Sequence, residues 1–480
     1  MDFNLGGLLA QRAYLSPDKE GFLGPDYRYS FSEANRRANR FAAYLQTQGI
    51  DQGQRVGILC KNRESIAAAL FGGAKLGAVS VLINWRLQGP ELQYILNDCG
   101  AELLVYDGDC APLVEKIKDQ VPAKIFLQTG DEFEAALAAQ PDQEPAPQGG
   151  GDDPAVIMYT SGTTGRPKGA TLSHNNLLWS TLAISHTVEW NYDHRFLLVA
   201  PLFHIGGLAP LVTNVHKGAT TYFMPDFDPA TVWQIIASER ITTMMSVPIM
   251  LMAMQMAAQK MEVDPSSLVS ITCGASMVPA ALIQAYLKMG IKVQQVYGIT
   301  EFSGAVTFWT NEMGLDKCSS QGKPVFHGEL KIADPETGGP LPDGQVGEIW
   351  CRGPMVFLGY WNNPEATAAA LEDGWYRSGD LGRRDEQGFF HVVDRLKDMI
   401  ISGGENIYPA ELEAVLCCHP GVAEVAVIGR PDERWGEIPV ACVVRRSDTK
   451  VDGEELIALC RENLASYKCV KEVVFLEALP

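Results

Sequence analysis

The 480-residue chain has eleven cysteines but no Cys-x-x-Cys pair. Their scatter and odd number argue against a zinc site and against a disulfide framework. The adjacent Cys417-Cys418 read as small apolar residues inside a helix. No run of ~20 apolar residues occurs, so no membrane-spanning helix is expected. The first residues, Met1-Asp2-Phe3-Asn4, lack a positively charged stretch followed by an apolar core, and no signal peptide is expected. Positive charge is scarce: Lys and Arg number 39 against 58 Asp and Glu, a formal net charge of −19. That balance argues against nucleic acid as a partner and against attraction to anionic lipid. It leaves a local basic patch and peripheral membrane contact open. What remains is 46% hydrophobic and 20% charged, the composition of a soluble globular protein, and a cytoplasmic enzyme of two or three domains is expected.

The chain alternates short apolar runs with helical periodicity. Ser30-Phe31-Ser32-Glu33 predicts a capping box, followed at helical spacing by Ala34, Ala38, Phe41, Ala42 and Leu45. Residues 55–60, 78–84, 101–106 and 155–158 read as buried strands, and 65–76 as a helix. This alternation predicts parallel α/β sheets. A Pro-, Gly- and acid-rich loop at 141–154 precedes the strand 155–158. From 330 to 393 the texture changes to short strands separated by Gly, Pro and Asp turns, and a compact α/β tail follows. No long-period repeat is present.

The densest signal is Tyr159-Thr160-Ser161-Gly162-Thr163-Thr164-Gly165-Arg166-Pro167-Lys168-Gly169. Glycines let backbone N–H groups converge on an anion, hydroxyls add donors, and Lys168 adds a point charge. The loop suits a polyphosphate. It is not the common P-loop, because no Gly-Lys-Ser/Thr stands at the required spacing. In Pro201-Leu202-Phe203-His204-Ile205-Gly206-Gly207, glycines beside an aromatic and a histidine suit a pocket wall. Cys273-Gly274-Ala275-Ser276 ends a strand and leaves room for a flat ring or an acyl chain. In Tyr297-Gly298-Ile299-Thr300-Glu301, the tyrosine can stack on a purine, Thr300 can donate to a phosphate oxygen, and Glu301 can hold Mg²⁺. Trp375-Tyr376-Arg377-Ser378-Gly379-Asp380 offers a carboxylate after a glycine turn, suited to ribose hydroxyls. Ile401-Ser402-Gly403-Gly404-Glu405-Asn406 has two glycines that permit close backbone approach, and Pro409 opens a helix.

Taken in this order, the motifs resemble those of the adenylate-forming superfamily: acyl-CoA synthetases, luciferase and peptide-synthetase adenylation domains. The resemblance spans residues 6–480 and is nearest to bacterial fatty-acyl-CoA ligases of the mycobacterial long-chain type. It implies an α/β fold in which a large N-terminal domain, 1–396, holds two α/β sheets and a small β-rich subdomain at about 326–393. A small, mobile α+β C-terminal domain, 397–480, follows. It implies a catalytic set of Lys168, Thr300, Glu301 and His204, with Glu301 as the magnesium ligand, Thr300 on the α-phosphate and His204 as a gate between acyl pocket and thiol tunnel. Thr160, Ser161, Gly162, Thr163, Thr164 and Gly165 would cradle phosphate. Gly274, Ala275, Ser276, Tyr297 and Gly298 would form the adenine and acyl walls. Asp380 and Arg395 would hold the ribose, Lys397 would be the hinge, and Gly403 and Gly404 would flank the pantetheine path. Family members continue past the equivalent of Pro480 into a Gly-Lys motif, which Lys468 and Lys471 do not match. The expectation is a portion of a longer chain.

The resemblance therefore implies an ATP-, Mg²⁺- and coenzyme A-dependent acid–CoA ligase. The apolar and small residues around Phe203 and Cys273 favour a medium- or long-chain fatty acid or another apolar monocarboxylate. An aryl acid–CoA ligase, a non-CoA adenylation module loading a carrier protein, and a catalytically weakened nucleotide binder are the alternatives. A homodimer is left open.

Overall fold

The computed structural model describes residues 3–160, 166–402, 405–432, 435–447, 449–464 and 468–479. The chain divides into two compact units. One comprises 1–330 with 351–376, the other 331–350 with 377–480. As expected, the larger N-terminal region is built on two α/β sheets, and a smaller α+β region lies at the C-terminal end.

In the first unit, a seven-stranded sheet carries Arg55–Leu59 parallel to both Val79–Leu82 and Leu103–Tyr106, with Pro154–Thr160 beside Val79–Leu82. These strands have helices or loops between them and are buried along nearly their whole length, as parallel strands covered on both faces must be. The strand Pro154–Thr160 then turns back as the antiparallel strand Lys168–Ser173, in a register that opposes Thr160 to Lys168. A nine-stranded sheet sets Thr220–Phe223, Arg195–Leu198, Thr243–Ser246, Ser270–Cys273 and Lys292–Ile299 side by side, all parallel. Their carboxyl ends therefore share one edge, where open α/β sheets bind ligands.

The predicted capping box at Ser30 forms in full, with Glu33 N–H donating to Ser30 Oγ and Ser30 N–H donating to the Glu33 carboxylate. It starts the helix Phe31–Thr47, which packs its buried Ala34, Ala38, Phe41, Ala42 and Leu45 inward. The helix Glu64–Lys75 is buried on every side and crosses it at Gly72, where an added Cβ would stand 2.5 Å from the Ala38 carbonyl oxygen.

In the second unit, Ile400–Ser402, Glu405–Ile407, Val422–Asp432, Gly436–Arg445 and Glu472–Leu476 form one sheet. It is packed by the helices Pro409–Leu416 and Gly453–Asn463, with Leu412, Leu416, Ala441, Val443 and Leu456 at the centre. Pro409 opens its helix as expected. Cys417 and Cys418 do not sit in that helix. It ends at Leu416, and both cysteines are exposed beyond it. Pro420 lies close behind, and the residue before a proline resists helical backbone angles.

The glycine at the helix crossing yields a paired prediction. Gly72→Ala should lower stability by about 1–3 kcal/mol, because the added methyl group must push the packed helices apart. Gly73→Ala, whose Cβ would meet only Ser80 Oγ at 3.5 Å, should be neutral or stabilising. Denaturant midpoints of the two variants check this, and equal destabilisation would refute the packing argument.

Candidate active site

The hairpin register brings Thr160 and Lys168 together at the mouth of the phosphate-type loop. Ser161, Gly162, Thr163, Thr164 and Gly165 lie outside the described residues. Thr160 Oγ1 stands 3.4 Å from Glu301 Oε1, and Tyr360 Oη donates to the same carboxylate oxygen at 2.8 Å. Glu301 is buried, in the short 3₁₀ turn Thr300–Phe302 that follows the strand Lys292–Ile299. Lys168 Nζ lies 5.1 Å from the centre of the Tyr360 ring, so a cation, a hydroxyl and a carboxylate meet around one phenol. Burial pushes the Tyr360 and Tyr376 phenols up, and the Glu301 charge adds to it, so both stay neutral hydrogen-bond donors. Phe357 packs edge-on against both rings and donates its N–H to the Glu301 carbonyl oxygen at 2.9 Å.

A brace behind the loop was not visible in the motif pattern. The helix Gly89–Cys99 contributes Asp98, whose carboxylate accepts from Tyr159 Oη at 2.5 Å, and Tyr94, whose hydroxyl donates to the Pro167 carbonyl at 3.3 Å. Both sides of the loop are thus tied to one helix. The segment after Leu358 adds to this: Asn362 donates to the Asp98 carbonyl and Trp361 N–H to the Gly169 carbonyl. Tyr360, Tyr376, Tyr94 and Asp98 were missed because each is set by tertiary contact. The aromatic run Gly359-Tyr360-Trp361 was the one local signal that could have drawn attention.

At the shared sheet edge, the strand Lys292–Ile299 is bulged between Tyr297 and Gly298, which turns the half-buried Tyr297 and sets Thr300 and Glu301 at its end. Gly274 follows the neighbouring strand and lies so close to Val296 that a Cβ would stand 2.6 Å from its carbonyl oxygen. Ala275 takes the left-handed backbone at φ 69°, and Ala275 and Ser276 are exposed. Burial pushes the Cys273 thiol up to about 12, so it remains a neutral apolar wall. His204 precedes the helix Ile205–Lys217 with its side chain exposed and its ring 4.5 Å from that of Phe203. The surrounding protein, and then the Arg86 charge, lower its pKa. Gly206 and Gly207 owe their close approaches to the protein itself: a Cβ would meet Met245 Cε at 2.8 Å and the Pro201 carbonyl oxygen at 2.4 Å.

The second unit holds the other predicted residues. Asp380 is buried and paired across an antiparallel hairpin with Arg395, with Nε 3.4 Å from Oδ1. It lies within the strand Trp375–Arg384, one residue after the left-handed Gly379, φ 71°. Buried Glu348 fixes that bend by accepting the Gly379 N–H at 3.0 Å, and the Asp380 N–H donates to Ser378 Oγ at 3.0 Å. Lys397 is exposed and lines a cavity of about 450 Å³ with Asp394, Asp398 and Glu413. Burial raises the Glu413 pKa, with the Asp394 and Asp398 charges adding to it. Gly403 and Gly404 lie outside the described residues.

Residues 9–361 match the AMP-binding enzyme family, and residues 411–480 match the AMP-binding enzyme C-terminal domain. The chain is 38% identical over 482 residues to the long-chain-fatty-acid–CoA ligase FadD13 of Mycobacterium tuberculosis, covering 99% of this chain and 95% of that protein. It is 40% identical over 477 residues to feruloyl-CoA synthase of Amycolatopsis, covering 99% and 96%. Among solved structures, the o-succinylbenzoate CoA synthetase of Bacillus subtilis with its acyl-adenylate intermediate superimposes with a TM-score of 0.90 at 32% identity, covering 98% of this chain and 95% of that one.

The brace behind the loop can be tested without any substrate. Tyr159→Phe removes a hydrogen bond to a carboxylate, an interaction worth about 1.5–3 kcal/mol. Amide hydrogen exchange at 168–173 should then quicken about ten- to a hundredfold with little change in the melting temperature. Unchanged exchange there would mean that the hairpin holds without Asp98.

Proposed function

We propose that this chain, which belongs to the AMP-binding enzyme family and is an acyl-CoA synthetase, joins an apolar monocarboxylic acid to coenzyme A in two steps through an acyl-adenylate. The observation that carries the reading is the meeting of Thr160, Lys168 and Tyr360 around the buried Glu301 carboxylate. The acyl-adenylate bound to the o-succinylbenzoate enzyme supports the two-step route.

In the first step, the acid's carboxylate oxygen attacks the α-phosphorus of ATP and pyrophosphate leaves. The residues at hand position and neutralise rather than exchange protons: Lys168 and the loop bind phosphate oxygens, Thr300 donates to the α-phosphate, and Tyr297 stacks on adenine. Asp380, oriented by Arg395, accepts from the ribose hydroxyls. Glu301 fits a magnesium ligand. Mg²⁺ takes one or two carboxylates and completes its shell from substrate phosphates and water. Among the described residues, no group of three or more His, Cys, Asp or Glu forms an all-protein metal cage. Once bound, Mg²⁺ would offset charge on the phosphates. In the second step, the coenzyme A thiolate attacks the adenylate carbonyl carbon and AMP leaves. His204 gates the thiol's path, the Gly403-Gly404 loop flanks it, and Lys397 is the hinge between domains 1–396 and 397–480.

A medium- or long-chain fatty acid is the first choice of acid. The small or apolar residues Phe203, Ile205, Gly206 and Cys273 support it, as does similarity to a fatty-acid ligase. An aryl acid is the second reading, favoured by the match to feruloyl-CoA synthase.

Glu301→Ala should abolish Mg²⁺-dependent pyrophosphate release in a folded protein, while Asp380→Ala weakens ATP and AMP binding alike. Lys397→Pro, which fixes φ near −65°, should slow one half-reaction far more than the other. Wild-type pyrophosphate release in the first two variants, or equal slowing in the third, would overturn these assignments.

The acid itself is read from kcat/KM across acetate, octanoate, palmitate, cinnamate and succinate. Each buried CH₂ should contribute up to about 0.8 kcal/mol until the pocket ends. A preference for succinate over octanoate would refute an apolar monocarboxylate.

A further inference from the structure

Two histidines that the ligase chemistry does not use face each other on the first unit. His186 stands in the last turn of the helix His174–Thr187, and His327 follows the strand Lys323–Pro324. His186 Nδ1 and His327 Nε2 are 3.3 Å apart, with ring centroids at 5.5 Å and planes tilted by 57°. Both side chains are exposed.

Several contacts hold the pair in place. The Phe326 N–H donates to Thr187 Oγ1 at 2.9 Å, tying the loop to the end of the helix. The Phe326 ring packs edge-on against both imidazoles, and Trp179 meets His327 edge-on at 5.2 Å. His327 takes the left-handed backbone, φ 67°, uncommon for a residue other than glycine. That backbone turn falls at the residue that presents one imidazole to the other.

We propose that His186 and His327 form a surface site for a borderline divalent transition-metal ion, with Zn²⁺ as its representative. Zinc binds imidazole nitrogen at about 2.0–2.1 Å in tetrahedral geometry, which sets two ligand nitrogens about 3.3–3.4 Å apart. The observed 3.3 Å spacing of the two nitrogens matches that bite. Without a metal, the two nitrogens stand within hydrogen-bond distance of each other. Among the described residues, no third His, Cys, Asp or Glu completes a larger cluster, so water fills the remaining positions. The site lies at the carboxyl end of a helix, where the macrodipole favours a cation. Imidazole selects Zn²⁺, Ni²⁺ or Cu²⁺ over Mg²⁺ and Ca²⁺, so the magnesium needed for ATP would not compete for it. A bound ion would staple the end of the helix to the loop and stabilise the folded state.

The test is equilibrium Zn²⁺ binding to the full chain by competition with a fluorescent chelator, without nucleotide. Because other groups such as the exposed Cys417 and Cys418 can take zinc, the measurement is made by difference. His186→Gln and His327→Asn, the latter tolerant of the left-handed backbone, should each weaken one stoichiometric ion by at least about tenfold. Both should abolish the zinc-dependent rise in melting temperature and leave pyrophosphate release unchanged. In the wild type, Mg²⁺ in millimolar excess should not displace the ion. Unchanged zinc affinity and stoichiometry in both variants, or no stoichiometric zinc bound by the wild type, would overturn the site.

Discussion

A carboxylate taken out of water must be given donors, and Glu301 draws them from segments far apart in the chain. Thr160 approaches from the end of a hairpin in one sheet, and Tyr360 from a two-residue strand, Gly359–Tyr360, on the edge of that sheet. Glu301 itself belongs to a turn at the end of a strand in the other sheet. One buried charge therefore ties the two sheets of the first unit at the place where the phosphate-type loop begins. Removing either hydroxyl would leave some of a buried charge unsatisfied, which is costlier than the loss of an ordinary surface bond. The Tyr360 and Tyr376 phenols complete the arrangement, because burial beside that charge keeps their protons on.

The same economy governs the glycines of the sheet edge. Gly207, Gly274 and Gly298 each lack room for a Cβ because another stretch of the protein's own backbone lies there. Gly207 folds onto Pro201 of its own loop, Gly298 meets Gly304 across the antiparallel pair formed with Gly304–Trp309, and Gly274 approaches Val296 of the neighbouring parallel strand. The bulge between Tyr297 and Gly298 adds a local twist that a regular strand would not give. Parallel strands with shared carboxyl ends supply the edge, and glycine lets the chain pack tightly at the turns along it.

Much of this was legible in the sequence. The strands at 55–60, 101–106 and 155–158 announced themselves as short runs dominated by apolar residues, and the capping box at Ser30 marked its helix to the residue. The order of the motifs carried the family, because each pairs a turn-forming residue with a chemical one at short range. Tyr360, Tyr376, Tyr94 and Asp98 were not legible. Their partners are distant in sequence, and nothing in an isolated tyrosine says which carboxylate it will meet. Asp380 was read after a glycine turn and follows the left-handed Gly379; what the sequence did not show is that the bend lies within a longer strand and is held by Glu348, a partner remote in sequence. The placement of Cys417 and Cys418 was recoverable, since Pro420 stood in view as a helix stop.

The acid's identity separates cleanly from this scaffold. A fatty-acid ligase and a feruloyl-CoA synthase are each similar to this chain over almost its whole length, at 38% and 40% identity. Thr160 and Lys168 sit on the hairpin, and Thr300 and Glu301 at a strand end, pinned by backbone register and by the Glu301 contacts. The side chains beside the candidate acyl wall are pinned far less: Met245, which touches the space over Gly206, is unbranched and adaptable, and Ala275 and Ser276 are small and exposed. Changes of volume there leave Glu301, Thr160 and Tyr360 undisturbed, because none of the hydrogen bonds joining those three passes through them. The side chains beside the candidate acyl wall, Met245 in its strand and Ala275 and Ser276 just after theirs, therefore stand apart from the contacts that join Glu301, Thr160 and Tyr360.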